Sequence, residues 1–338
     1  MLARRRRHRL SNGVEIQTPV IIPSLSTRNV GRIDVDDVPE SISSAALRIV
    51  GGQLDEAMLV SAYDLARRPM FEADRLLAGA TNTVYDSATL LMIDSGLYET
   101  RERVGYDDGA AATVTDWDEA AYEVVLQTLP DVPIAIVNFD VDHAPFSDQI
   151  AAAQRLFAAH SSRASVMLLK PEHEKRFIDD ALLGAVAADL RSFDIVAVTE
   201  KELGNTLLER LRTLVRVRRV LERSNVAAPL HVFGGLDPLL TPLYIACGAE
   251  IVDGVGWLRY AYLDDAAHHL ETRAVRDLDS RVDVRLLTTV NRNLLYMRDL
   301  KRRLEILIDN GDWLAYSPAQ GRMLEDLWRR VASTEDVT

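Results

Sequence analysis

Leu90-Leu91-Met92-Ile93-Asp94-Ser95-Gly96 is a short apolar run that stops on an aspartate and a turn. A run of this length, bounded by turn residues, reads as a strand buried on both faces. Seven further stretches have the same character: Val20–Ile22, Ala57–Val60, Ile134–Phe139, Ser165–Leu169, Ile195–Val198, His231–Phe233 and Glu250–Val252. Amphipathic segments separate them. Asp148–His160 places Ala152, Leu156 and Phe157 on one face, and Thr206–Arg223 repeats Leu207, Leu211, Leu214, Val217 and Leu221 at helical spacing, with its arginines expected on the opposite face. Eight strands alternating with helices define an α/β fold, and the count is that of a (β/α)8 TIM barrel.

Outward from the strands, Asn12-Gly13 between Arg9-Leu10 and Val14–Ile16 predicts a two-residue hairpin that precedes the first barrel strand and closes the barrel floor. The C-terminal third carries no further strand signal. Asn293–Asp309 and Met323–Val331 read as helices. Without a linker or a solenoid repeat, residues 1–338 read as one barrel domain with helical decoration from about 270 to 338. A two-domain split near residue 270 is the alternative.

With 48% apolar and 27% charged residues, the chain has a globular composition. Its formal charge of −12 makes attraction of its whole surface to a polyanion unfavourable, so a nucleic-acid contact needs a local basic patch. The run Arg4–Arg7 with His8 and Arg9, and the series Arg210, Arg212, Arg216, Arg218, Arg219 and Arg223, are two such patches. A solvated helix face would look the same, because only four of the 39 basic residues are lysine. The single cysteine, Cys247, excludes an internal disulfide and a multi-cysteine zinc site, and the expected location is cytoplasmic. The basic N-terminus is followed by polar Ser11-Asn12-Gly13 rather than an apolar stretch, and no membrane span is expected.

Working residues of a barrel sit at the carboxyl ends of its strands. Asp94, Asp140 and Asp253 each follow one of the apolar runs. Any one of them is ordinary turn chemistry. Three around one mouth repel one another, and a pair of carboxylates serves chemistry at a sugar carbon, one attacking or stabilising the centre and one moving a proton.

Leu91–Glu99 resembles the Thr-Asp-Ser-Gly-Gly-Phe/Tyr-Gln signature of the tRNA-guanine transglycosylases, the queuine and archaeosine tRNA-ribosyltransferases. Thr18-Pro19-Val20 with Pro23, Leu59–Pro69, Phe139-Asp140, and Phe193-Asp194 with Ala197 are similar to other segments of that family. So are Asp237-Pro238-Leu239, Cys247-Gly248-Ala249 and Ile251-Val252-Asp253, with Arg259 six residues beyond Asp253 and Arg292-Asn293-Leu294 where the family has His-Asn-Leu. The likeness runs in order from about residue 9 to 313. It implies a barrel in which Asp253 is the nucleophile that attacks ribose C1′ and Asp94 is the general acid/base. Asp140 would read the base edge, with Ser95, Gly96 and Tyr98 lining the base slot and Arg259 anchoring a phosphate.

The departures are as informative. The family's structural zinc needs a Cys-x-Cys-x-x-Cys run and a histidine; the run is missing and Arg292 stands at the histidine position, so the expectation is a zinc-free protein with no cofactor. Thr199-Glu200-Lys201 replaces Gly-Gly-Leu, Leu168–Pro171 replaces Val-Gln-Gly-Gly, Asp142 replaces a cysteine and Glu99 an amide. His143 is a loop histidine with either a substrate contact or a local hydrogen bond. The resemblance implies replacement of guanine in tRNA or DNA by a 7-deazaguanine through an aspartyl–ribose intermediate. The divergent branches that modify DNA are included, and a homodimer or a heteromeric partner is possible under the same reading. A catalytically silent binding subunit and a hydrolase or lyase of free nucleosides are the alternatives.

Overall fold

The computed structural model describes residues 1–26, 28, 32–35, 38–50, 56–67, 88–100, 117–140, 143–173, 175–270, 272, 275 and 278–335. Eight parallel strands close into a barrel: β1 (Val20–Leu25), β2 (Ala57–Ser61), β3 (Leu90–Asp94), β4 (Ile134–Val137), β5 (Ala164–Leu169), β6 (Ile195–Thr199), β7 (Leu230–Phe233) and β8 (Ile251–Gly254). Each pairs with its sequence neighbour, and β8 returns to β1 with Asp253 opposite Ile22. These are the eight runs read from the sequence.

Side chains alternate across each strand, so every second residue points into the barrel. Val20, Ile22, Leu59, Met92, Val137, Val166, Ala197 and Ile251 fill that interior. The intervening Ile21, Val60, Ile93, Ile136, Met167, Val198 and Val252 pack outward in the main core, which the surrounding helices also build. The same alternation carries Ser24, Ser61, Asp94, Lys170, Thr199, His231 and Asp253 inward at or just beyond the strand ends.

The predicted hairpin closes the floor, but its loop has three residues. Arg7–Arg9 pairs with Glu15–Gln17, and Gly13 N donates to Leu10 O while Leu10 N donates to Val14 O. Gly13 takes φ +86° and Asn12 does not take a positive φ; only one position needed glycine's freedom. Leu10 and Ile16 join the barrel interior. Asn12 donates to Ile134 O at 3.0 Å, and Ser11 N and Oγ both donate to Asp194 at 2.7 Å, so the plug is tied to the amino ends of β4 and β6.

Two antiparallel pairs have no counterpart in the sequence reading: Arg32–Val35 with Val38–Ser41, and Tyr260–Leu263 with Ala266–His269. The second corrects the expectation that the C-terminal third lacks strands. Its turn residues Asp264 and Asp265 take φ +51° and +59°, the conformation of a two-residue hairpin turn.

The helix Leu207–Arg223 begins on a capping box between Thr206 and Glu209. Its arginines do not form the free basic face that was expected. Arg218 is buried against Glu250 at 2.8 Å, Arg210 pairs with Glu200 at 2.5 Å and Arg216 with Asp180 at 2.9 Å. The N-terminal run is no nearer the cleft, since Arg7 and Arg9 belong to the floor hairpin.

A helix over Val282–Asn310 starts eleven residues before the predicted boundary and packs on the barrel with Trp313–Tyr316 and Gly321–Thr334. Asn293, buried, ties it down: its Nδ2 donates to Trp257 O and Tyr260 O at 2.7 Å each, and its Oδ1 accepts from Tyr262 N at 2.9 Å. Arg303 adds a pair with Asp265 at 2.7 Å and a bond to Tyr316 O at 3.1 Å. Arg292 is exposed and Cys247 is buried, and among the described residues no cluster of His, Cys, Asp or Glu fits a metal ion. The residues present do not fit the family's zinc. Asn293→Leu strands three backbone groups, two of them buried, and is expected to lower stability by roughly 2–4 kcal/mol, read as a reduced urea midpoint.

Candidate active site

The carboxyl ends of the barrel strands open on a cleft of about 690 Å3. Asp94, Asp140 and Asp253, which come from separate stretches of chain, all line it. Tyr98, Glu99, Lys170 and Arg259 line it too.

Asp253 closes β8 and is held by three groups. Ser24 Oγ donates to Oδ2 at 2.6 Å, Gly234 N donates to Oδ1 at 3.0 Å, and His231 Nε2 lies 3.0 Å from the same Oδ1. His231 is fully buried and stacks on Phe233, with ring centroids 4.1 Å apart. Behind the site, the Trp257 indole donates to Ser24 O at 3.0 Å, fixing the strand that carries the hydroxyl. Ser24 Oγ and Gly234 N, with His231 Nε2 within hydrogen-bond reach, fix the orientation of this carboxylate, as a nucleophile requires.

Asp94 ends β3 opposite Ser61. Burial, and then the nearby charges of Asp140 and Asp253, push its carboxyl up to about 7, against the opposing pull of a backbone hydrogen bond from Ser95 and the charge of Lys170. A carboxyl that exchanges its proton near neutrality suits general acid/base work. Glu99 sits beside it, accepting from Ser26 Oγ at 2.6 Å. Burial, with Asp64 and Asp94 close by, raises Glu99 to about 8, and hydrogen bonds from Ser26 and Ser61 oppose the rise.

Asp140 accepts from Ser95 Oγ at 3.1 Å and lies 3.3 Å from Lys170 Nζ. Ser95 and Gly96 are buried behind the cleft rather than lining it. Ser95 positions Asp140, and its carbonyl accepts from the Trp117 indole at 2.8 Å. Gly96 makes the turn, at φ +90°, where a Cβ would meet Tyr63 Cβ at 2.7 Å.

At the lip, the Arg28 guanidinium covers the Tyr98 ring at 4.7 Å, and Arg259 donates to Tyr98 Oη and to Arg28 O, each at 3.1 Å. His143 is exposed at φ +66° and pairs through its backbone with Glu172, away from the cleft lining. Asp142 lies outside the described residues. Sequence reading missed Ser24, His231 and Lys170 as members of the site, although inward alternation along their strands marks all three.

Three acidic groups thus share one cleft, one held by Ser24 and Gly234 and one raised to about 7. The chain is similar to a tRNA-guanine transglycosylase. The relative is the tRNA-guanine(15) transglycosylase of Picrophilus torridus, 22% identical over 285 residues, covering 82% of this chain and 41% of that protein. The chain thus spans well under half the length of this transglycosylase. No family model matches it. Among the described residues, no helix is long and apolar enough to cross a membrane.

Proposed function

We propose that this protein is a pentosyltransferase that replaces guanine in a polynucleotide with a 7-deazaguanine. The observation that carries the reading is the convergence of Asp94, Asp140 and Asp253 on one cleft, with Asp253 held by Ser24, His231 and Gly234. The likeness to a transglycosylase supports it from a separate direction.

The target nucleotide must leave its stack to reach the cleft. An Asp253 oxygen attacks C1′ and forms a C1′–O bond as the C1′–N9 bond breaks, its electron pair leaving with guanine. Protonated Asp94 supplies the proton that the departing base takes up. The incoming base then loses its N9 proton to the Asp94 carboxylate, forms the new C1′–N bond and releases Asp253 as a carboxylate. Proton and charge are restored after each cycle. Asp140 accepts from the ring and exocyclic N–H groups of the base. Arg259, with Arg28 beside it, faces the polymer at the lip and is the candidate phosphate contact.

The silent-subunit alternative gives no reason for three buried or half-buried carboxylates to share a cleft, which destabilises the fold. Incubation with labelled guanine and either bulk tRNA or genomic DNA tests the reading. Label is expected in one of the two polymers; no label in either, and no release of guanine from a prelabelled polymer, would overturn it.

A further inference from the structure

Beyond the three aspartates, the cleft contains a cation that the mechanism leaves unused. Lys170 follows β5 in the inward register, and its side chain is only 4% exposed. Gln149 grips its main chain from both sides, accepting from Lys170 N at 2.9 Å and donating to Lys170 O at 2.8 Å. Its ammonium donates to Glu202 Oε1 at 2.9 Å and lies 3.3 Å from both Thr199 Oγ1 and Asp140 Oδ2. Asp140 is itself fixed by Ser95. An acceptor and a donor therefore stand side by side in the cleft, both held in place before any ligand arrives.

We infer that Lys170 is the specificity-determining residue of the base slot: paired with Asp140, it selects a lactam edge, a ring N–H next to a C=O. The inference rests on the base-exchange reading. Asp140 takes the ring N–H, and Lys170 donates to the adjacent oxygen, exchanging one of its two 3.3 Å contacts for the ligand. A 6-oxopurine or its 7-deaza analogue has this edge. A 6-aminopurine reverses it, setting a lone pair against the carboxylate and an amine against the ammonium. A site built around such a pair rejects the reversed edge strongly, because its own buried groups are left unmatched.

Equilibrium binding of guanine and 6-thioguanine to the full chain tests this. Both bases keep the ring N–H and the 2-amino group, but sulfur is a much weaker acceptor than oxygen. Wild type is expected to prefer guanine by roughly 100-fold, and Lys170→Met to weaken guanine by about the same factor while barely changing 6-thioguanine, as expected for loss of one charged hydrogen bond. Lys170→Gln, which keeps a neutral donor, should retain part of the preference. Equal losses for both bases in Lys170→Met would overturn the inference, since they would mean that Lys170 acts only by holding Asp140. Failure of wild type to bind either base would instead overturn the base-exchange reading itself.

Discussion

With Asp253 as the nucleophile proposed above, Asp253→Asn is expected to reduce base exchange by roughly a thousandfold or more, while leaving the fold in place. The hydrogen-bond pattern explains why asparagine is tolerated. Oδ1 faces Gly234 N, an obligate donor, so the amide oxygen belongs there. The amide nitrogen then faces Ser24 Oγ, a hydroxyl that rotates from donor to acceptor. The checks are incorporation of labelled guanine into polymer and recovery of a denaturation-resistant protein–polymer adduct. Both should vanish with an unchanged circular dichroism spectrum. Exchange at a tenth of the wild-type rate would remove Asp253 from the nucleophile's role.

Asp94→Asn has two expected effects, on rate and on stability, and they differ in pH dependence. Loss of the proton carrier proposed above should lower kcat by about 10²–10⁴-fold and abolish the limb of the pH–rate profile near 7. For stability, the native carboxyl titrates near 7 and the unfolded one near 3.8. Between those values the native state holds a proton that the unfolded state has lost, so stability falls as pH rises through the window and levels off above it. Asparagine removes that loss. The variant should be more stable than wild type at pH 8.5, by an amount on the order of 2–4 kcal/mol, and equal to it at pH 4. Glu99→Gln should behave alike, with the upper end of its window near 8. Paired urea melts at the two pH values decide the matter: a variant no more stable than wild type at pH 8.5 contradicts the crowding of charge described above.

Much of the fold was legible because a barrel strand needs only a short apolar run, and all eight runs coincide with barrel strands. Asp94 and Asp253 were legible because each terminates such a run. Position in the pleat carried further information that residue type concealed. Ser24 shares the inward parity of Val20 and Ile22, and Lys170 that of Val166 and Leu168. Arg218 shows the same effect in a helix. It lies four residues after Leu214 and three before Leu221, inside the apolar stripe, and its charge suggested a solvent face until Glu250 supplied a partner. Gly248 adds a condition no pattern reveals, since a Cβ there would approach Arg218 Cγ to 2.5 Å. The Asp264-Asp265 turn escaped notice because aspartate is a weaker marker of positive φ than Asn-Gly, whose own glycine misled as to loop length.

Leu10 and Ile16 plug the barrel interior at the amino ends of its strands, on the side away from the cleft at the carboxyl ends. On the base-exchange reading proposed above, a displaced guanine would leave by the side on which the polymer docks rather than along the plugged barrel axis. Under that reading departure precedes arrival at a shared entrance, and excess free guanine should slow the second half of the cycle by occupying it.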